Sequence, residues 1–283
     1  LMNSDARSVL YASCILRGRN LLRLLFIGDV FAKAGRQVLA NNLEKLKSVY
    51  KWDVCIANAE NAAGGKGINF NTAQEIFSCG VDTITLGNHT WSRKEVLNFI
   101  DNCEKIVRPS NYSKNVPGRG KLILEKNGVR IGIINLIGRV YMDSWAECPF
   151  QTADRDISAL RQHCKVIIVD FHAEATSEKL ALAYYLDGRV SAVIGTHTHV
   201  QTADEKILDN KTAYISDVGM TGPADGIIGV NRDQVIRKFV TGMPVSFEPA
   251  KGRTCLNAVM IDIDENTGQA REIIRISEIY SQS

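Results

Sequence analysis

The sequence has no run of like charges, no low-complexity tract, no internal repeat and no linker rich in proline, glycine or serine. These absences argue against a charged binding tail, a repeat array and a flexibly tethered second domain. Charge of one sign is scarce as well: 34 Lys+Arg against 31 Asp+Glu leaves a formal net charge of +3. That surplus is too small for a nucleic-acid groove or for attraction to an anionic membrane, and no aromatic-basic stripe compensates for it. No apolar run is long enough to span a membrane, because Arg17, Arg19 and Arg23 interrupt the apolar N-terminal stretch. The seven cysteines (Cys14, Cys55, Cys79, Cys103, Cys148, Cys164 and Cys255) are scattered. None has the close spacing of a zinc knuckle or redox pair. An odd number on apolar stretches reads as reduced thiols, so a cytoplasmic location is expected. Residues 1–20 carry two short apolar patches, too short before Cys14 for a signal peptide. With Leu1 ahead of Met2 they read as a vector-derived or mis-assigned leader, leaving 21–283 as a single domain.

What the chain does contain is one theme repeated from Arg23 onward: a short β-rich apolar run, a polar loop, then a stretch with helical periodicity. The apolar runs fall at 24–28, 54–57, 83–86, 130–136, 165–169, 192–195, 212–216 and 256–263. Helices are expected at 35–50, 71–78, 93–103, 154–164 and 177–186. Near-continuous apolar strands alternating with helices predict an α/β protein whose strands are buried on both faces. Asn127-Gly128 inside 121–136 predicts a hairpin. The late strands, with no clear helices between them, suggest a second, mixed sheet.

The residues that follow the apolar runs carry the chemistry. Asp29 follows the first, Asn58, Glu60 and Asn61 the second, and Asn88-His89 the third. Asp170, His172 and Glu174 end the fifth, and His197 and His199 the sixth. In an open α/β sheet, ligands bind beyond the carboxyl ends of the strands. Of five histidines, His89, His172, His197 and His199 all sit there, while His163 falls on a helix candidate and reads as a surface residue. Imidazole and carboxylate together suit zinc, iron and manganese. Two such ions, about 3.5–4 Å apart, clamp the attacking and leaving oxygens of an in-line displacement at phosphorus. Taken singly, each motif has a duller reading, since Gly28-Asp29 can be a turn and Asn88-His89 a helix cap. Gly64-Gly65-Lys66-Gly67 lacks the Walker frame, so it is either a mobile turn or a set of amides facing an anion.

Gly28-Asp29, Gly87-Asn88-His89, Asp170-Phe171-His172 and Gly195-Thr196-His197-Thr198-His199 resemble the calcineurin-like metallophosphoesterase signature. Phe26-Ile27-Gly28-Asp29-Val30, Asn58-Ala59-Glu60-Asn61, Asp170–Glu174, Asp217-Val218-Gly219-Met220-Thr221-Gly222-Pro223 and Thr241-Gly242-Met243-Pro244-Val245 are similar to its bacterial YmdB-type branch. The resemblance implies a four-layer α/β/β/α sandwich with two mixed sheets and a phosphodiesterase acting on cyclic nucleotides, 2′,3′-cyclic ones foremost. It implies two divalent or trivalent metal ions, iron first, with manganese or zinc also accepted. Asp29, Glu60, Asn61 and His199 would hold one ion; Glu60, Asn88, His172 and His197 the other, with Glu60 bridging. His89 would be the acid for the leaving oxygen, and the attacking group a hydroxide held by both metals. Three departures from the wider superfamily stand out. Asp29-Val30-Phe31 lacks the histidine of an Asp-x-His, so Asn61 would fill its place. Glu60 stands where an aspartate bridges elsewhere. Thr90 follows His89 in place of an acid, which leaves open what orients that imidazole. Within the branch, Asp225-Gly226 replaces an expected Asp-Ser. The expected partner is a small-molecule nucleotide, with no membrane and no strong nucleic-acid signal; self-association stays open. A phosphomonoesterase or nucleotidase with the same site is the alternative within enzymes. A metal-stabilised regulatory protein with residual activity is the alternative outside them.

Overall fold

A computed structural model describes residues 20–142 and 145–281; apart from Asn20, the expected leader lies outside the described residues. Strand β1 (Leu21–Ile27) shows why two sheets must stack. Its side chains alternate between faces, as any strand's do, and both sets are apolar. Leu22, Leu24 and Phe26 point into a core shared with the second sheet. Leu25 and Ile27 point into a core shared with helices.

The first sheet runs β2 (Asp29–Val30), β12 (Met220–Pro223), β13 (Thr254–Asp264), β1, β3 (Val54–Asn58), β4 (Thr83–Thr85), β5 (Ile106–Val107), with β14 (Ala270–Tyr280) paired to β13. The second runs β10 (Lys206–Ile207), β11 (Ala213–Ile215), β9 (Ala192–Thr196), β8 (Val166–His172), β7 (Val129–Ile137), β6 (Lys121–Lys126). β1, β3, β4 and β5 are mutually parallel, as are β7, β8, β9 and β11. Helices α1 (Ala32–Tyr50) and α2 (Phe70–Ser78) cover the first sheet through Val38, Leu39, Leu43 and Ile76. Helices α3 (Pro149–Arg161) and α4 (Thr176–Leu186) cover the second through Ile157, Leu160, Leu182 and Leu186. The layers are therefore α/β/β/α, as expected. The 121–136 hairpin also forms, with Asn127 at φ 52° and Gly128 at φ 81°; two consecutive positive φ values are what a tight hairpin of this twist requires.

Two expectations need correction, and one helix was not expected. The helix expected over 93–103 is two short 3₁₀ turns, Lys94–Asn98 and Ile100–Asn102. The amides of Val96, Phe99 and Asn102 each bond three residues back, so Val96 and Ile100 reach the core without a continued α-helix. The second, mixed sheet forms with β9 and β11 in it, but the last expected strand, 256–263, does not join it. β13 has apolar side chains on both faces, and it takes the central place beside β1, with Leu24 opposite Ile261. Helix α5 (Arg232–Thr241) was not anticipated; it buries Val235 alone and leaves Ile236, Phe239 and Val240 exposed. Its caps, Asn231 accepting from Asp233 N and Gln234 N and Gly242 in the left-handed region, were the usable signal.

Candidate active site

Five strands end at one place. Asp29 follows β1, Glu60 and Asn61 follow β3, Asn88 and His89 follow β4, His172 closes β8, and His197 and His199 follow β9. The contacts among them cross from sheet to sheet. His172 Nε2 lies 2.9 Å from Asn88 Oδ1, 3.0 Å from His197 Nδ1 and 3.1 Å from Glu60 Oε1. Among the described residues, Glu60, His172 and His197 each place a donor atom within 4.8 Å of the others. Beside this group, the Asn61 amide nitrogen lies 3.1 Å from His199 Nε2, 3.2 Å from Glu60 Oε1 and 3.4 Å from Asp29 Oδ1. His199 Nε2 is 3.8 Å from Asp29 Oδ1, and His197 N donates to Asp29 Oδ2 at 3.2 Å. Glu60 thus stands between two groups of donors.

Each imidazole is held by one nitrogen and presents the other. His172 Nδ1 lies 2.9 Å from Thr196 Oγ1, whose hydroxyl donates in turn to buried Asp170 at 2.7 Å. His197 Nε2 lies 3.1 Å from Glu174 Oε2. His199 Nδ1 lies 3.1 Å from the carbonyl of Ile228. The unanchored nitrogens, Nε2 of His172, Nδ1 of His197 and Nε2 of His199, all turn inward. Outer partners of this kind fix the tautomer of a metal-ligating histidine and raise its basicity. The loop that carries two of these rings adopts positive φ at His197 (105°) and His199 (65°). For residues other than glycine that is a costly backbone, tolerated where surrounding contacts over-determine it.

Electrostatics point the same way. Burial alone would strip the proton from His172, but the Glu60, Asp29 and Asp170 carboxylates outweigh it and hold the imidazole up to about 9. Burial would raise Glu60, yet the His172 charge and the His89 amide hold it down to about 2. His197 is pushed down to about 3 by burial and by the neighbouring His172 charge, with Lys179 adding to the effect. Burial raises the Asp29 carboxyl and lowers the His89 imidazole. The metal-free site therefore gathers carboxylate and imidazole lone pairs around a proton on His172 and the amide hydrogens of Asn61. Those hydrogens occupy the positions where cations would satisfy the same donors, so the residues fit a metal centre.

The site opens on a cavity of about 590 Å³ lined by Phe31, Lys66, His89, Arg93, Ile228 and Phe247, among others. Gly64, Gly65 and Lys66 reach its wall, and Arg93 braces that loop by donating to the carbonyls of Ala63 (2.9 Å) and Lys66 (3.2 Å). His89 faces the cavity, with Nδ1 3.3 Å from Ser92 Oγ, so a serine three residues on stands where no acid follows Asn88-His89. Asp225 pairs with Arg253 at 2.7 Å and does not line this cavity. His163 is exposed in the turn after α3, as expected. Sequence reasoning missed Thr196, Glu174, Ser92 and the Ile228 carbonyl as orienting groups. Glu174, two residues beyond His172, and Ser92, three beyond His89, were legible by spacing; the Ile228 carbonyl had no signal in the sequence.

A four-layer sandwich with carboxylate, amide and imidazole side chains gathered at its strand ends defines the metallophosphoesterase fold class. Within that class the chain belongs to the YmdB-like protein family, whose model matches residues 25–276. A Bacillus subtilis (strain 168) protein named 2′,3′-cyclic-nucleotide 2′-phosphodiesterase is 49% identical over 255 residues, 90% of this chain and 96% of that one. The crystal structure of a novel phosphatase from Mycoplasma pneumoniae superposes with a TM-score of 0.87 at 40% identity, covering 93% of this chain and 95% of that one. A hypothetical protein from Thermus thermophilus superposes with a TM-score of 0.86 at 39% identity, covering 92% of this chain and 100% of that one.

Proposed function

We propose that the chain is a phosphoric diester hydrolase that opens cyclic nucleotides, 2′,3′-cyclic ones foremost, at a two-metal site. The observation that carries this reading is the inward turn of three histidine nitrogens and of Glu60 toward one place at the floor of the cavity. The Bacillus subtilis relative, named for that reaction, supports the choice of substrate. Asp29, Glu60, Asn61 and His199 would hold one ion, and Glu60, Asn88, His172 and His197 the other, with Glu60 shared. A pair of cations there supplies positive charge to the phosphoryl oxygens and lowers the pKa of water. Iron, manganese and zinc all accept this thiolate-free donor set, and iron is the first choice. A cytoplasmic setting agrees with the buried, unpaired thiols of Cys55, Cys164 and Cys255.

The chain's own residues do the rest. Gly64, Gly65 and Lys66 line the cavity, where the Lys66 ammonium would meet an anionic diester. His89 would give a proton to the departing ribose oxygen; burial lowers its pKa, so the protonated form that can do this is favoured toward acidic pH. Replacing His89 with Ala lowers turnover of 2′,3′-cyclic AMP by roughly 10²–10⁴-fold, while the metal content of the purified protein stays that of the parent. Unchanged turnover would remove His89 from the reaction. The Mycoplasma relative, described as a phosphatase, favours the monoesterase alternative. Turnover of a bis-aryl phosphate against an aryl monophosphate separates the two, and faster hydrolysis of the monoester would overturn the diesterase reading.

A further inference from the structure

The heptapeptide Asp217-Val218-Gly219-Met220-Thr221-Gly222-Pro223 contributes no side chain to the proposed centre, yet it touches both halves of it. Asp217 and Lys179 are a buried ion pair, exposed by 1% and 2%, with Lys179 Nζ 2.8 Å from Asp217 Oδ2. The same carboxylate oxygen accepts from Thr198 N at 2.9 Å, and Oδ1 accepts from Gly219 N at 2.8 Å. Thr198 is the residue between His197 and His199, so Asp217 grips the loop at its middle. Val218 N donates to Gly195 O at 2.9 Å, at the root of that loop. On its other flank the segment holds Asp29. Asp29 N donates to Gly219 O at 3.0 Å, Met220 pairs with Asp29 in parallel register, and Phe31 N donates to Thr221 O at 2.8 Å. The two chains meet too closely for side chains: a Cβ on Gly28 would lie 2.0 Å from Gly219 O.

We infer that the Lys179–Asp217 pair is a positioning device for the metal centre, setting the placement of His197 and His199 relative to Asp29. A buried ion pair is weak evidence of stabilisation, because desolvation offsets much of the attraction. What this carboxylate gains in exchange is three converging donors, one of them the Thr198 amide between His197 and His199 and another the Gly219 amide, whose residue accepts from Asp29 N through its carbonyl. With the pair in place, the positive-φ backbone at His197 and His199 is held from behind, and both rings arrive with their free nitrogens turned inward. Without it, the loop keeps its anchor at Glu174 and Ile228 but loses the grip on Thr198.

The inference rests on the metal-site reading, and the test separates the two. Manganese(II) is titrated into metal-free protein and free ion is followed by its paramagnetic resonance signal, alongside the thermal melt of the same metal-free samples. The variant is Lys179→Met with Asp217→Asn, which leaves no uncompensated buried charge. Lys179→Gln with Asp217→Asn serves if the first does not fold. Manganese affinity is expected to fall roughly 10- to 100-fold, with the metal-free melt little changed. Affinity within about twofold of the parent's, in a variant that folds, overturns the inference; so does failure of both variants to fold, which would make the pair a requirement of the fold. A parent protein that takes up no manganese overturns the metal-site reading itself.

Discussion

His172 is an imidazolium in the metal-free protein because three carboxylates face it, while its neighbour His197 is already neutral. A cation entering the site must displace that one proton. The folded pKa of His172, about 9, lies above the ordinary value of 6.5, so the proton is fully bound at neutral pH and lost as pH rises through 9. Manganese uptake at pH 7.5 is therefore expected to release about one proton per chain, and affinity should rise about tenfold per pH unit up to that limit. Titration calorimetry in buffers of different ionisation enthalpy counts the protons; uptake with none released would contradict the assignment. At this scale, the ligand candidates were legible because each followed an apolar run directly. Thr196, Asp217 and Lys179 were not, since their roles lie in hydrogen bonds that exist only once β8, β9 and α4 are packed together.

The strand ends and the loops they launch depend on close backbone crossings. A Cβ on Gly195 would lie 1.8 Å from Ser216 O, so β9 can run beside the following strand only as glycine at this point. Gly195→Ala is expected to cost about 1–3 kcal/mol and to displace the loop bearing His197 and His199. Denaturant unfolding and a manganese titration would show both effects, and parent-like values in both would refute the crossing argument. Elements with a near-continuous apolar run or a turn signal were readable from the sequence: β1, β3, β8, β9 and the Asn127-Gly128 hairpin. Residues 93–103 were misjudged because their two apolar contacts, Val96 and Ile100, match helical spacing equally well when the turns are 3₁₀. α5 was overlooked although Val235, Ile236, Phe239 and Val240 recur at helical spacing; of these only Val235 is buried.

Across the whole molecule, the two sheets are joined by a dry apolar core, and the candidate centre lies at its rim, with Glu60, Asn61 and Asn88 from one sheet and His172, His197 and His199 from the other. Ions bound there would tie the sheets together. At manganese about 100-fold above its Kd, stabilisation is about 2.7 kcal/mol, a rise of roughly 5 °C in Tm that a chelator should reverse. The α/β class was legible from strands alternating with helices, and the four-layer order from the family resemblance. The membership of each sheet was not, because β13 returns from the far end of the chain to pair with β1 and brings its hairpin partner β14 with it, a non-local choice that no local pattern encodes. The most direct test of the central claim is hydrolysis of 2′,3′-cyclic AMP followed while metal-free protein is titrated with manganese. Turnover should be absent at the start, rise with added metal and level off at two ions per chain. Full turnover before any metal is added, or none once two ions are bound, would contradict the account.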